Sequence, residues 1–162
     1  MTLEEQKSRL IGELISARSR ILQAAIKIPA ERVDEIFLGT WSIKHLLAHL
    51  KGWDLTNLQA IQEILAGKPP SFFNQYDPDW QTYNQSLIEQ YLRPSLADLL
   101  VDVQASHLKL TGYLGSLSAR DIMNGKVKRE TGRVVTVRNL LRVEARDEKK
   151  HAEQIAEYFL LK

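Results

Sequence analysis

The chain has 162 residues, a formal net charge of +2, 44% hydrophobic residues and 26% charged residues. This composition excludes a disordered chain, and the small net charge gives no reason to expect a nucleic-acid partner. No cysteine is present, which excludes thiol nucleophiles, zinc–thiolate sites and iron–sulfur clusters. We expect one domain over residues 1–162, large enough to bury about 70% of its unfolded surface without a disulfide or an obligatory metal.

The N-terminal segment and the apolar runs predict neither export nor membrane insertion. The segment MTLEEQKSRL is charged, and no apolar segment follows it. A membrane-spanning helix needs about 18 or more apolar residues in a row, and no stretch of the sequence approaches that length. The lack of cysteines is also compatible with a reducing compartment. These features predict a cytoplasmic protein without a membrane partner.

Two long amphipathic helices are predicted in the first half of the chain. The first begins with Thr2 and Glu5 in the register of a capping box and carries apolar residues at three-and-four spacing as far as Pro29. The second begins at Ser42, a favourable N-cap residue, and ends before Gly67. Each helix has one apolar stripe to bury.

The third long helix is predicted to follow a shorter helical segment. Asp79 can cap a segment that continues to Tyr91, and Pro94 then either kinks this segment or begins the third long helix, which continues to Leu114. We expect a break in the backbone near Arg93. The sequence therefore predicts an additional short helix before the third long one.

A long connection is predicted between the third and fourth long helices. The glycine-containing stretch 116–135 carries a basic cluster without interleaved aromatic residues, for which a solvated loop is favoured over a phosphate-binding patch: Lys126, Lys128, Arg129 and Arg133. A short extended piece is expected at 133–135, and the last helix is expected from Thr136 towards Leu161. Four helices with one apolar stripe each predict an all-α, antiparallel four-helix bundle.

The last predicted helix carries polar residues where its period demands apolar ones. Its inward stripe passes through three acids and an imidazole: Glu144, Asp147, Glu148 and His151. Burying even one unpaired carboxylate costs several kcal/mol, so this group calls for a cation, an arginine partner or an opening to water. A bound metal ion would satisfy all four side chains together.

A histidine on the second helix provides a partner for this acidic stripe. His49 lies at the edge of the apolar face, where it can point across the bundle. Two histidines and one carboxylate from two helices form a reasonable site for Zn²⁺, Ni²⁺ or Fe²⁺. A di-iron centre is not supported, because the Glu-x-x-His motif of Glu148 and His151 occurs only once.

Two segments resemble a known family. GTWSIKHLLAHLKGWD is similar to the second-helix signature of the DinB-like four-helix bundles, and RNLLRVEARDEKKHAEQI is similar to their fourth-helix signature. The run His-Leu-Lys-Gly-Trp also resembles the branch that includes colibactin self-resistance proteins. The resemblance implies a metal site at His49, Asp147 and His151, although most relatives have a third histidine where this chain has Asp147.

The resemblance also implies a function. It suggests a metal-dependent transferase or hydrolase acting on a small molecule, with a homodimer as the expected assembly. Glu148 or Glu144 would orient a ligand or act as a base, and pocket walls are expected from Trp53, Leu50 and Trp41.

Each of these assignments has a simpler alternative. The tryptophans can be core residues, Asp147 can be a surface ion-pair partner, and Glu144 and Glu148 can pair with Arg142 and Arg146. His45 lies one turn before His49 but is expected to be exposed. The alternative function is a metal-free protein that binds a small molecule or acts as a dimeric helical module.

Overall fold

The computed structural model describes residues 1–161, which form seven α-helices and one small antiparallel hairpin. The long helices are α1 (Leu3–Ile26), α2 (Ile43–Leu65), α5 (Leu96–Ser116) and α7 (Val137–Phe159). The shorter elements are α3 (Phe73–Tyr76), α4 (Trp80–Tyr91), α6 (Ala119–Asn124), β1 (Lys126–Lys128) and β2 (Val134–Thr136), with a 3₁₀ turn at Ala30–Arg32. The all-α, four-helix-bundle prediction is confirmed. Within residues 1–161, no helix is long and apolar enough to cross a membrane.

The helices begin where local capping chemistry places them. The Thr2 hydroxyl accepts from the Glu5 backbone N–H at 3.1 Å, and the Glu5 carboxylate accepts from the Thr2 N–H at 2.7 Å. At the start of α2, the Ser42 backbone N–H donates to His45 Nδ1 at 3.0 Å. His45 therefore takes the place of the usual acid in a capping box. It is half-buried, not exposed as the sequence suggested.

The segment before the third long helix is a separate helix, as predicted. The Asp79 carboxylate accepts from the backbone of Gln81 and Thr82 and so caps α4. The backbone turns extended at Leu92, and Ser95 caps α5. Pro94 precedes α5 and does not kink a continuous helix.

The connection between α5 and α7 contains more structure than the sequence indicated. Helix α6 was not predicted, although Ser118 caps it by accepting from Asp121. The expected extended piece pairs with a second strand in a hairpin, with Val127 opposite Val135. The hairpin turn includes Gly132, whose φ of +89° favours glycine.

The bundle was predicted to be antiparallel, but its neighbouring long helices run in mixed directions. Helices α1 and α7 pack side by side and run parallel, as do α2 and α5, whereas α2 against α7 and α1 against α5 run antiparallel. The reason is α4, which packs antiparallel along α2 and returns the chain to the end at which α2 began. Helix α5 then starts beside the start of α2.

The buried apolar residues form two clusters, one towards each end of the bundle. One cluster includes Ile21, Leu47, Val103 and Ile155. The other includes Leu14, Ile61, Leu110 and Leu141. Between them lies a layer of buried polar and charged side chains: Arg18, Asp54, Asn57, Ser106, Glu144 and Glu148. Two members of this layer, Glu144 and Glu148, line the candidate site.

Candidate functional site

A pocket of about 480 Å³ opens beside the polar layer. Its lining comes chiefly from α2, α4 and α7, and includes the three residues that the sequence placed in a pocket wall, Trp41, Leu50 and Trp53. Trp53 is fixed in this wall because its indole N–H donates to Asn84 Oδ1 at 2.8 Å. The same pocket is lined by all five predicted polar residues: His49, Glu144, Asp147, Glu148 and His151.

The two predicted histidines face each other across the antiparallel pair α2 and α7. Their ring centroids lie 6.1 Å apart, and the Trp41 ring packs 4.8 Å from the His49 ring. His49 Nδ1 is buried and has no hydrogen-bond partner among the described residues, whereas His151 Nδ1 lies 2.9 Å from Gln154 Oε1. Burial, with a smaller effect of His151, lowers the pKa of His49 to about 3. Burial also lowers the pKa of His151. Both rings are therefore neutral at neutral pH, as a metal ligand must be.

Asp147 lies at the outer edge of the pocket. Its side chain is 53% exposed, and its carboxylate lies 3.5 Å from the guanidinium of Arg146. This is the surface ion pair that the sequence allowed as an alternative. Because Asp147 is one turn before His151 on α7, both side chains reach the same pocket.

Glu148 is held by an arginine that the sequence analysis did not identify. Arg18 of α1 donates to Glu148 Oε1 and, in a bidentate pair at 2.8 and 2.9 Å, to Asp54 of α2. Ser106 of α5 donates to Asp54 at 2.6 Å. The partner of Glu148 is therefore Arg18. It is not Arg142 or Arg146, the partners that the sequence suggested as an alternative.

The charges in this layer do not balance. Burial alone would lower the pKa of Arg18, but Glu148 and Asp54 together raise it above its usual value. One guanidinium thus serves two carboxylates. Burial raises the pKa of Glu148 to about 7 in spite of the opposing effect of Arg18.

Glu144 is the third carboxylate of the layer and, among residues 1–161, forms no ion pair, although the charge of Arg18 is near enough to lower its pKa. It is buried, and its recorded contact is with the Asn57 amide, which donates at 3.3 Å. Burial raises the pKa of Glu144 well above its usual value, and the nearby charges of Glu148 and Asp54 raise it further. The protonated, uncharged form of Glu144 is therefore favoured.

The family of the protein follows from a comparison with protein-family models, in which residues 13–155 match the model of the DinB superfamily. The chain belongs to the DinB superfamily. The resemblance of the two helix segments is thus confirmed, and the histidine-lined pocket is the pocket of a DinB-like bundle. A search of curated proteins gave no match.

A solved structure has the same fold. It is YfiT from Bacillus subtilis, which is described as a probable metal-dependent hydrolase with an unusual four-helix bundle topology. The two structures align with a TM-score of 0.69 and 16% sequence identity, over 98% of this chain and 87% of that one. At this identity the likeness establishes the fold of this DinB-like chain and not its activity.

The residues of the DinB-like pocket fit a divalent transition metal in their chemistry, but they are not arranged around one. Two imidazoles on a tetrahedral zinc ion have centroids roughly 5 Å apart, close to the separation of His49 and His151. His49 Nδ1 has no competing partner. Within residues 1–161, however, no group of three or more His, Asp or Glu side chains is placed to hold an ion. A third ligand requires Asp147 to leave Arg146.

The sequence held a signal for the residues that were missed. Arg18 lies between Leu14, Ile21 and Ala25 on the apolar stripe of α1, and Asp54 lies between Leu50 and Leu58 on that of α2. A charged residue on the apolar stripe of a helix is therefore the signal of a buried ion pair in α1 and α2, as it is in α7.

Proposed function

We infer that this DinB superfamily member binds a divalent transition metal and a small molecule in the pocket between α2 and α7, and that it acts as a metal-dependent hydrolase or transferase. The observation that carries this proposal is His49, a half-buried, neutral imidazole whose buried Nδ1 has no partner among the described residues, and which faces His151 at the wall of the pocket. A buried polar atom without a partner costs about 1–3 kcal/mol, so the fold tolerates a cost that a bound ligand would remove.

The metal would be held by His49 and His151, with Asp147 as the third ligand. When bound, it supplies Lewis-acid activation of a substrate oxygen or thiol. The chain's own residues bind and orient the substrate. Trp53, fixed by Asn84, provides an apolar wall that excludes water. Glu144 holds a proton inside the pocket, while Arg18 keeps Glu148 in place below it.

Metal content tests the proposal directly. Protein prepared without a polyhistidine tag or chelator is incubated with Zn²⁺ or Ni²⁺, desalted and measured by elemental mass spectrometry. We expect about one equivalent of metal in the wild type and none in a His49→Ala/His151→Ala double variant, because two of the three ligands are then missing.

A matched control uses a histidine outside the pocket. His45→Gln keeps a side-chain acceptor in the capping box, so the helix start is retained while an imidazole is removed. This variant should bind metal like the wild type. Equal metal content in the wild type and the double variant would contradict the proposed site.

The metal-free alternative is favoured by one observation of its own. Two of the three α7 acids that line the pocket already have an arginine contact, because Arg18 binds Glu148 and Arg146 lies beside Asp147. Under this alternative the pocket binds a small molecule without catalysis. It becomes the better conclusion if neither protein retains metal and added Zn²⁺ leaves the melting temperature unchanged.

A further inference from the structure

A second chamber lies next to the histidine pocket. Its volume is about 460 Å³, and the two cavities share four lining residues: Trp53, Tyr76, Val143 and Glu144. The two cavities therefore border each other at Trp53 and Glu144.

The inner part of the second chamber is aromatic. The rings of Phe72 and Tyr76 contact the edge of Trp53, with centroid separations of 5.5 and 5.9 Å, and Phe72 stacks on Phe73 at 4.2 Å. The opposite side is formed by apolar residues of β2 and α7, including Val135. Flat aromatic surfaces of this kind favour a flat, apolar ligand.

The outer rim of the chamber is basic. Arg129 is held over the Phe73 ring, 3.8 Å from its centroid, and pairs with Asp77. Arg133 also lines the chamber and is exposed. Among residues 1–161, its guanidinium has no hydrogen-bond or ion-pair partner in the structure. The cluster that the sequence favoured as a solvated loop thus places two of its arginines at a cavity.

The outer rim of the chamber is net positive. Asp77 offsets Arg129, and Glu144, whose pKa is raised by burial, lies away from the rim in the buried layer. The charge of Arg133 is left over. A guanidinium binds carboxylate and phosphate groups through paired N–H donors, so the complement of this rim is an anion.

We propose that the second chamber is a binding site for small molecules with an aromatic body and one anionic group, carboxylate or phosphate. The anion contacts Arg133 at the hairpin, the aromatic body lies between Phe72 and the hairpin, and the remainder extends towards His49 and His151. This proposal rests on the proposed function for the reaction at the histidine end, and it adds the class of substrate.

Calorimetric titration with three probes tests the proposal. Naphthoate and naphthyl phosphate carry the two anions, and naphthamide is the uncharged control of nearly equal shape. We expect at least one anion to bind about fivefold or more tightly than the amide, which is the scale of one exposed charge contact. The anion that binds more tightly shows whether the chamber prefers a carboxylate or a phosphate.

Two variants locate the contact. Arg133→Gln should weaken binding of the preferred anion about fivefold or more and leave the amide unchanged, whereas Lys128→Gln, on the exposed face of β1, should change neither. Equal binding of anion and amide, an unchanged affinity in Arg133→Gln, or no binding of any probe would each overturn the proposal.

The same titration separates this proposal from the proposed function. The His49→Ala/His151→Ala variant should retain its affinity for the preferred anion, because neither histidine lines the second chamber. Loss of metal with retained anion binding supports both. Absence of metal in the wild type with retained anion binding overturns the metal-dependent function alone.

Discussion

Arg18 is a fully buried side chain at the centre of the polar layer. It is 1% exposed and donates to Asp54, Glu148 and the Val103 carbonyl, so it joins all four long helices. Replacing a whole buried group of ions by apolar residues often leaves the free energy of unfolding unchanged. Removing one partner, however, leaves the other charges buried without a counter-charge. The cost of a change therefore depends on which members are changed together.

An Arg18→Met variant should be strongly destabilised. Two carboxylates, Asp54 and Glu148, would remain buried without their cation, at a cost of about 3–5 kcal/mol. Urea unfolding followed by circular dichroism measures this loss. Adding Asp54→Asn and Glu148→Gln to the same variant should recover much of it.

The matched control for that variant is Arg20→Met, on the exposed face of the same helix. It removes an equal charge and should change the free energy of unfolding by no more than about 0.5 kcal/mol. A loss in Arg18→Met no larger than in this control would show that the layer is open to water.

Glu144 makes the stability of the protein depend on pH. Its pKa is raised in the folded state, first by burial and then by Glu148 and Asp54. The contribution of Glu144 to the free energy of unfolding is therefore fully present below the ordinary carboxyl pKa. It is lost as pH rises towards the pKa of Glu144 in the folded state. Glu144→Gln removes this dependence, so the variant should gain stability relative to the wild type as pH rises above the ordinary carboxyl pKa.

Urea unfolding at several pH values, with a chelator present so that no metal is bound, measures this gain. Glu153→Gln, on the exposed face of α7, is the control and should stay within about 0.5 kcal/mol of the wild type throughout. If Glu144→Gln becomes less stable than the wild type as pH rises, Glu144 is ionised in the fold and has a cation partner.

At this scale the sequence predicted positions better than partners. The polar residues of α7 and the position of His49 followed from helical spacing, because spacing alone determines which side of a helix a residue occupies. The partner of Glu148 did not follow. Arg18 is separated from Glu148 by 130 positions, and only the packing of α1 along α7 brings them together.

Among the helices, the contact between α2 and α4 is unusually close. A Cβ atom built on Gly52 would lie 2.7 Å from Leu87 Cβ, a distance at which one helix must move. Glycine inside a helix normally costs about 1 kcal/mol relative to alanine. At Gly52 this cost is offset, because the absence of a side chain allows α2 and α4 to pack closely. The close packing keeps α4 in place beside the pocket.

Gly52→Ala should therefore destabilise the protein by about 1–3 kcal/mol, because the methyl group overpacks the interface. Gly12→Ala is the matched control, since no atom of residues 1–161 outside its own helix backbone and chain neighbours lies within 4 Å of its Cβ position on α1. It should stabilise the protein by about 0.5–1 kcal/mol. Thermal unfolding of both variants compares the two signs, and a stabilised Gly52→Ala would contradict the close contact.

The predictable elements are those with local signals. The capping residues Thr2, Ser42, Asp79 and Thr136 all cap helices in the structure, because a cap is a contact within a few residues of sequence. Helix α6 was missed because six residues contain too few helical periods to be recognised.

For the molecule as a whole, metal binding should be visible as stability. A ligand that binds only the folded state stabilises it by about 2.7 kcal/mol at a hundredfold excess over its dissociation constant. For a chain of this length that corresponds to a rise in melting temperature of roughly 5–10 °C. Differential scanning calorimetry with Zn²⁺ should show this rise in the wild type and in His45→Gln.

The His49→Ala/His151→Ala variant should show no such rise. An equal rise in this variant would place the ion elsewhere on the protein. The magnitude in the wild type also reports on Asp147, since an ion held by only two histidines binds weakly and shifts the melting temperature less.

The directions of the helices could not be predicted from four apolar stripes. A stripe requires burial but is equally satisfied by a parallel or an antiparallel neighbour. The direction of α5 depends on the return of the chain through α4, which is a property of the whole path.

The polar layer has a consequence for folding fidelity. In a bundle with α1 reversed or shifted by one turn, the Arg18 guanidinium would no longer meet Asp54 and Glu148, and three unpaired charges would lie among apolar side chains. Each misplaced charge costs several kcal/mol, so wrong arrangements that bury the same apolar surface are strongly disfavoured. We therefore expect Arg18 and its partners to fix the direction and register of α1, and so to favour the mixed-direction bundle over other helix arrangements.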